Sequence, residues 1–120
     1  MTSLGEILED ILIENMESVW LEEGRPLMAS PNKSGLDKKV FKREEDFIPT
    51  SEDICEFAFE MMSVDGDIEV FGQESFASNY TYLYSDKILF RVSFRRFKNK
   101  YSIRLKKYNF SQLKIIPFIK

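Results

Sequence analysis

The chain has no histidine and a single cysteine, Cys55. That scarcity excludes an internal disulfide, a Cys/His zinc set, and the Ser/His or Cys/His pairs on which most nucleophilic catalysis depends. Cys55 falls on the apolar side of a helical pattern and reads as a core filler rather than a nucleophile. Glycine and proline are scarce too, five and four respectively. They gather nowhere into a phosphate-cradling loop followed by Lys-Ser/Thr, nor into a low-complexity linker. No apolar run approaches the roughly 20 residues of a membrane span. The first ten residues carry acids where a signal peptide would carry bases. These absences predict a cytoplasmic domain without disulfide, metal or membrane insertion. With 120 residues it has room for one core and not two. A 43% hydrophobic content with eleven phenylalanines points to a folded domain and a sheet with a greasy face.

The last third lacks something more informative, which is acid. All twenty Asp and Glu lie at or before Asp86, accompanied by only six bases, whereas residues 87–120 hold eleven bases and no acid. The net charge of −3 therefore hides a dipolar chain. Its basic third either neutralises the acidic part of its own fold or offers a positive surface to phosphate, nucleic acid or an acidic partner.

Ser3 with Glu6 has the spacing of a capping box. Leu4, Ile7, Leu8, Ile11, Leu12 and Met16 then recur at helical spacing, which predicts a helix from about Leu4 to Glu17. Val19-Trp20-Leu21 and Leu27-Met28-Ala29 read as strands around a Glu23–Pro26 turn, and Ser30–Asp37 as a loop. Lys39–Lys42 is a third short strand and Arg43–Asp46 a charged connection. Thr50 and Asp53 make a second capping box. Behind it Ile54, Phe57, Ala58, Met61 and Met62 stripe a helix expected to end near Asp65-Gly66. Extended segments follow at Glu69–Phe71 and Ser75–Tyr84, then a Ser85–Lys87 turn. The Asp65-Gly66-Asp67 run begins like a calcium loop, but Phe76 stands at the closing position, so it reads as a turn. The whole is an α+β domain with an antiparallel sheet and two helices, spanning about residues 1–110, with residues 111–120 as tail or start of a linker.

The hairpin from Ile88 to Lys107 is the sharpest pattern. Ile88, Phe90, Val92 and Phe94, then Tyr101, Ile103 and Leu105, alternate with polar neighbours and mark the core face. The other face receives Arg91, Arg95, Arg104 and Lys106, and the tip supplies Arg96, Lys98 and Lys100. Like charges set opposite one another repel, so this cluster calls for something negative. Guanidinium groups bind phosphate oxygens bidentately, which makes phosphate the functional reading. The competing expectations are that acidic helices of the same domain meet the cluster or that water does. Phe97 and Tyr101 sit among the bases as stacking candidates for nucleic acid. A pI near 5.1 argues against that partner. No catalytic residue and no metal ligand set emerges, so the chain alone is expected not to be an enzyme.

Five stretches in succession resemble one family. Val19-Trp20-Leu21-Glu22-Glu23-Gly24-Arg25-Pro26-Leu27-Met28 resembles the strand-turn-strand that opens the N-terminal domain of type II/IV secretion and pilus-retraction ATPases. Pro49–Asp53 is similar to a helix start in that domain, and Gly72-Gln73-Glu74-Ser75-Phe76 to its Gly-x-Asp-x-Ser-Phe stretch. Leu89–Phe94 is similar to its Arg-Phe-Arg-Val-Asn-x-Phe strand, and Ile103-Arg104-Leu105 to a later Leu-Arg strand. Trp20 stands where the family has His, Ser18 where it has Asp, and Glu74 is shifted against the family Asp. The resemblance implies a PAS-like, non-catalytic regulatory and oligomerisation module of a type II secretion or type IV pilus (twitching motility) motor. It implies no cofactor in this chain, ATP and Mg bound by an associated ATPase core, and packing on a neighbouring subunit of a hexamer. It further implies cytoplasmic protein, peripheral at the inner membrane through the secretion or pilus complex. By position, Arg91 and Arg104 match arginines that reach the neighbour's nucleotide, and Arg95 and Arg96 are loop candidates for the same nucleotide sensing. The family's core follows this domain, and Pro117–Lys120 falls about where the linker begins, so either an excised domain or a free-standing relative is expected. A small acidic secretion chaperone or adaptor that binds a protein partner is the alternative.

Overall fold

The computed structural model describes residues 2–62 and 75–110. Helix α1 (Leu4–Ile13) starts as expected, with the Ser3 hydroxyl accepting from the Glu6 amide. It ends a turn earlier than the apolar periodicity predicts. Asn15 turns left-handed at φ 53°, its amide donates to the Leu12 carbonyl, and the Met16 amide donates to that of Ile11 at 3.0 Å. That pair of bonds closes a Schellman motif, where asparagine tolerates the left-handed backbone better than most residues. Met16 thus belongs to the cap and still packs against the core, which is why it fits the helical spacing.

Strands β1 (Ser18–Glu22), β2 (Met28–Ser30) and β3 (Lys39–Val40) follow, then a short 3-10 turn at Lys42–Glu44. Helix α2 (Ser51–Met61) carries the complete capping box: Thr50 Oγ1 accepts from the Asp53 amide, and Asp53 accepts from the Thr50 amide. The helix stops at Met61, where Met62 turns extended at ψ 131°, about a turn before the expected end near Asp65-Gly66; the expected strand at Glu69–Phe71, the Asp65–Asp67 turn and the tail lie outside the described residues. Strands β4 (Phe76–Leu83), β5 (Ile88–Phe97) and β6 (Lys100–Asn109) complete a six-stranded antiparallel sheet in the order β3-β2-β1-β6-β5-β4. A two-residue turn, Lys98-Asn99, joins β5 to β6 with φ positive at both positions, the geometry whose twist matches that of the flanking strands.

Both helices lie on one face of this sheet. Ile7, Leu8, Ile11, Ile54, Phe57 and Met61 form one cluster with Val19, Leu21, Phe90, Val92, Phe94, Ile103 and Leu105. Each such side chain contributes about 1.5–3 kcal/mol on leaving water. The protein is an α+β fold with its core between two helices and one side of a sheet, and the other side of that sheet faces away from both helices.

Candidate functional site: the open basic face of the sheet

Strand register determines which side chains meet on the open face. Arg91 pairs with Lys106, Ser93 with Arg104 and Arg95 with Ser102 across β5 and β6. On the far side of β6, Trp20 pairs with Arg104, Ser18 with Lys106 and Glu22 with Ser102. Because Phe90, Val92, Phe94, Ile103 and Leu105 are buried on the helix side, alternation sends Arg91, Arg95, Arg104 and Lys106 to the other. The expected set is there.

Arg96 is not part of it. It has the same parity as Phe94 and so lies on the helix-covered face, with its guanidinium 5.0 Å from the Tyr101 ring centre. Contrary to expectation it does not belong to the hairpin tip, because the strand runs through Phe97 and keeps its phase. Lys107, at the end of the hairpin, is the converse case. Its parity matches Ile103 and Leu105, and it is only 4% exposed. Its ammonium donates to Asn15 Oδ1 at 2.8 Å and pairs with Glu17 at 3.4 Å. Glu17 also takes Lys33, so this buried charge is compensated as burial requires.

The open face is built with little compensation. Among the described residues, Arg91, Arg95, Arg104 and Lys106 are in no ion pair; Arg25, Lys33, Arg43 and Lys107 make those that exist. Arg91 and Lys106 face each other directly, an arrangement that costs stability. The acidic outer faces of α1 and α2 are on the opposite side of the sheet and cannot neutralise it, so that expectation fails on topology. A shallow hollow of about 350 Å³ lies over β6, lined by Trp20, Glu22, Ser93, Arg95, Ser102, Arg104 and Lys106. A second of similar size lies between Asn79, Arg91, Lys106 and Tyr108.

The four cations are held differently. Arg104 is fixed: its guanidinium sits 4.9 Å from the Trp20 ring centre and Nη2 donates to the Lys33 carbonyl at 2.9 Å. Its Nε is buried with no hydrogen-bond partner. The loop after β2 pins Trp20 from its edge, since a Cβ on Gly35 would stand 3.2 Å from the ring, and Lys38 Nζ lies 4.4 Å from the ring centre. Arg91 and Arg95 are exposed and have no such tether. The arrangement thus sets one tethered guanidinium beside two exposed ones and an ammonium, a combination suited to an anion with several oxygens.

Elsewhere two titratable groups are perturbed. Burial pushes the Cys55 thiol up, so it is less nucleophilic than a free thiol, as its half-buried place against the core implies. Glu44 is pushed up to about 7, first by burial and then by sharing a hydrogen bond with Asp10. Among the described residues no helix is long and apolar enough to cross a membrane.

No protein-family model matches the sequence, and no curated protein matches it. Among solved structures, the crystal structure of the pilus retraction motor PilT with bound ADP matches with a TM-score of 0.65 and 17% identity. The match covers 88% of this chain and 29% of that one, so the chain spans less than a third of that motor's length. At this identity the likeness is one of fold: the α+β arrangement described above is shared with part of a nucleotide-bound motor.

Proposed function

We propose that this chain is a non-catalytic regulatory and oligomerisation domain of a secretion or pilus motor, and that its open sheet face lies against a neighbouring subunit and supplies arginines to the nucleotide held there. The observation that carries this reading is the pairing of Arg91 with Lys106 on a face that neither helix covers, where the four cations have no ion-pair partner among the described residues. A fold that keeps like charges face to face gives up stability it would gain by changing either one, and a phosphate at that face would offset the loss. The likeness to part of a pilus retraction motor supports the context. In this reading ATP and Mg belong to the associated core. Arg91 and Arg95 reach outward to the phosphate oxygens, while Arg104, fixed on Trp20, is a rigid donor that needs no reordering. Arg96 drops out of the set because it lies on the other face.

The test is steady-state ATP hydrolysis by the assembly containing this chain and its ATPase core, measured beside its thermal melt. Arg91→Ala and Arg104→Ala are expected to lower turnover by about 10³-fold if the arginine acts on the transferred phosphoryl group. Lysine is expected to rescue poorly, because an ammonium cannot reproduce the two-pronged contact. Wild-type turnover in both alanine variants, with unchanged melts, would overturn the nucleotide role and leave the face to an acidic protein partner.

A further inference from the structure

One face of α2 is the mirror in charge of the open sheet face. Glu52, Glu56 and Glu60 are all exposed and lie four residues apart, so they form a single stripe. None of them is in an ion pair among the described residues, and α2 contains no base to compensate them. The stripe lies on the helix layer and the arginines lie across the sheet, so the two cannot meet within one molecule. They can meet between molecules.

We infer that the open sheet face docks α2 of a second copy of this chain, head to tail. The spacing matches. Glu52 to Glu60 covers eight residues of helix, about 12 Å. Arg91 to Arg95 covers four residues of strand, about 13 Å. A helix laid along β5 and β6 therefore sets a carboxylate near each end of that arginine pair, with a third between them close to Arg104, while Lys106 stands at the Arg91 end. The hollow there is lined by Trp20, Glu22, Arg95, Arg104 and Lys106, so its charge is mostly positive. Each copy keeps one face free after binding, so the contact is heterologous and extends into a ring or an open chain. The inference concerns this chain alone and needs no ATPase. A phosphate bound at the same arginines would compete with the neighbouring helix.

The experiment is sedimentation velocity of the purified chain over a concentration series, between about 0.01 M and 1 M salt, over which the Debye length falls from about 30 Å to about 3 Å. Mass rising with concentration at low salt and falling to monomer at high salt is the expected result. Glu52→Lys/Glu56→Lys and Arg91→Glu/Arg95→Glu should each weaken association about a hundredfold, since each turns attraction into repulsion. Mixing the two variants in equal amounts should restore it, because the reversed stripe then meets the reversed face. Melts of every variant confirm that the fold is retained. A wild-type chain that stays monomeric at low salt, reversed variants that associate like wild type, or a mixture that fails to recover would each overturn the inference.

Discussion

Replacing Arg91 by glutamate should stabilise the isolated fold. In the native sheet Arg91 stands directly opposite Lys106, with Thr81 on its other side. Opposed Cβ atoms lie about 5 Å apart, and long side chains splay their charges to about 7 Å. At that separation in water the repulsion is about 0.6 kcal/mol. Glutamate turns it into an attraction of similar size, so the change is worth about 1 kcal/mol. In a domain of this size that raises the melting temperature by about 4 °C. Glutamine, which removes the charge without reversing it, should give about half the shift. The gain should shrink towards zero by about 1 M salt, where screening acts within about 3 Å. Thermal melts by circular dichroism at low and high salt make the measurement. A fall in melting temperature for Arg91→Glu at low salt would refute the claim that this face is assembled against its own electrostatics, and with it the central support for an anionic partner.

Phe94→Ala should cost about 3–5 kcal/mol, since the ring is fully buried and packs edge-on against Phe76 at 5.0 Å and in a stack with Tyr101 at 5.8 Å; a denaturant midpoint close to wild type would contradict the core assignment. Glu44 gives a pH dependence of unusual sign. Its folded pKa of about 7 lies above the ordinary 4.5, so the native state holds a proton that the unfolded chain has released, and stability should fall as pH rises through that window. Melting temperature is expected to drop between about pH 4.5 and about pH 7, and Glu44→Gln to flatten the decline; an equally steep decline in that variant would place the cause elsewhere.

The fold was legible where local chemistry decides it. Both capping patterns, Ser3 with Glu6 and Thr50 with Asp53, mark real helix starts because a side-chain oxygen satisfies an otherwise orphaned amide. The β5–β6 hairpin was legible because period-two alternation admits one register of the apolar residues against a core. Helix ends were less so. The signal that stops α1 is Asn15 in a left-handed conformation, and asparagine tolerates that conformation without requiring it. The apolar spacing runs past it to Met16, which packs against the core as part of the cap and not of the helix. The sheet order was beyond sequence reasoning: β1 lies beside β6, more than eighty residues away in the chain, and no local preference encodes that pairing.

The site was legible to the same depth as its strands. Arg91, Arg95, Arg104 and Lys106 share a face because they share a phase, and the phase was readable. Arg96 and Lys107 show the limit. Both are basic, both sit in a basic run, and composition counts them with the rest, yet one extra step along each strand turns them towards the helices. What the sequence could not show was that the acidic helices gather on the far side of the sheet. That single topological fact changes the meaning of the charge asymmetry. Twenty acids and seventeen bases in one small chain look like a balance struck within the fold. Once the acidic helices are on the far side of the sheet from Arg91, Arg95, Arg104 and Lys106, those helices cannot balance this face from within one molecule. The question for this protein is then which anion reaches the open face first, a phosphate or a neighbour's helix, and charge reversal at Arg91 and Arg95 distinguishes them because only the helix can be reversed in turn.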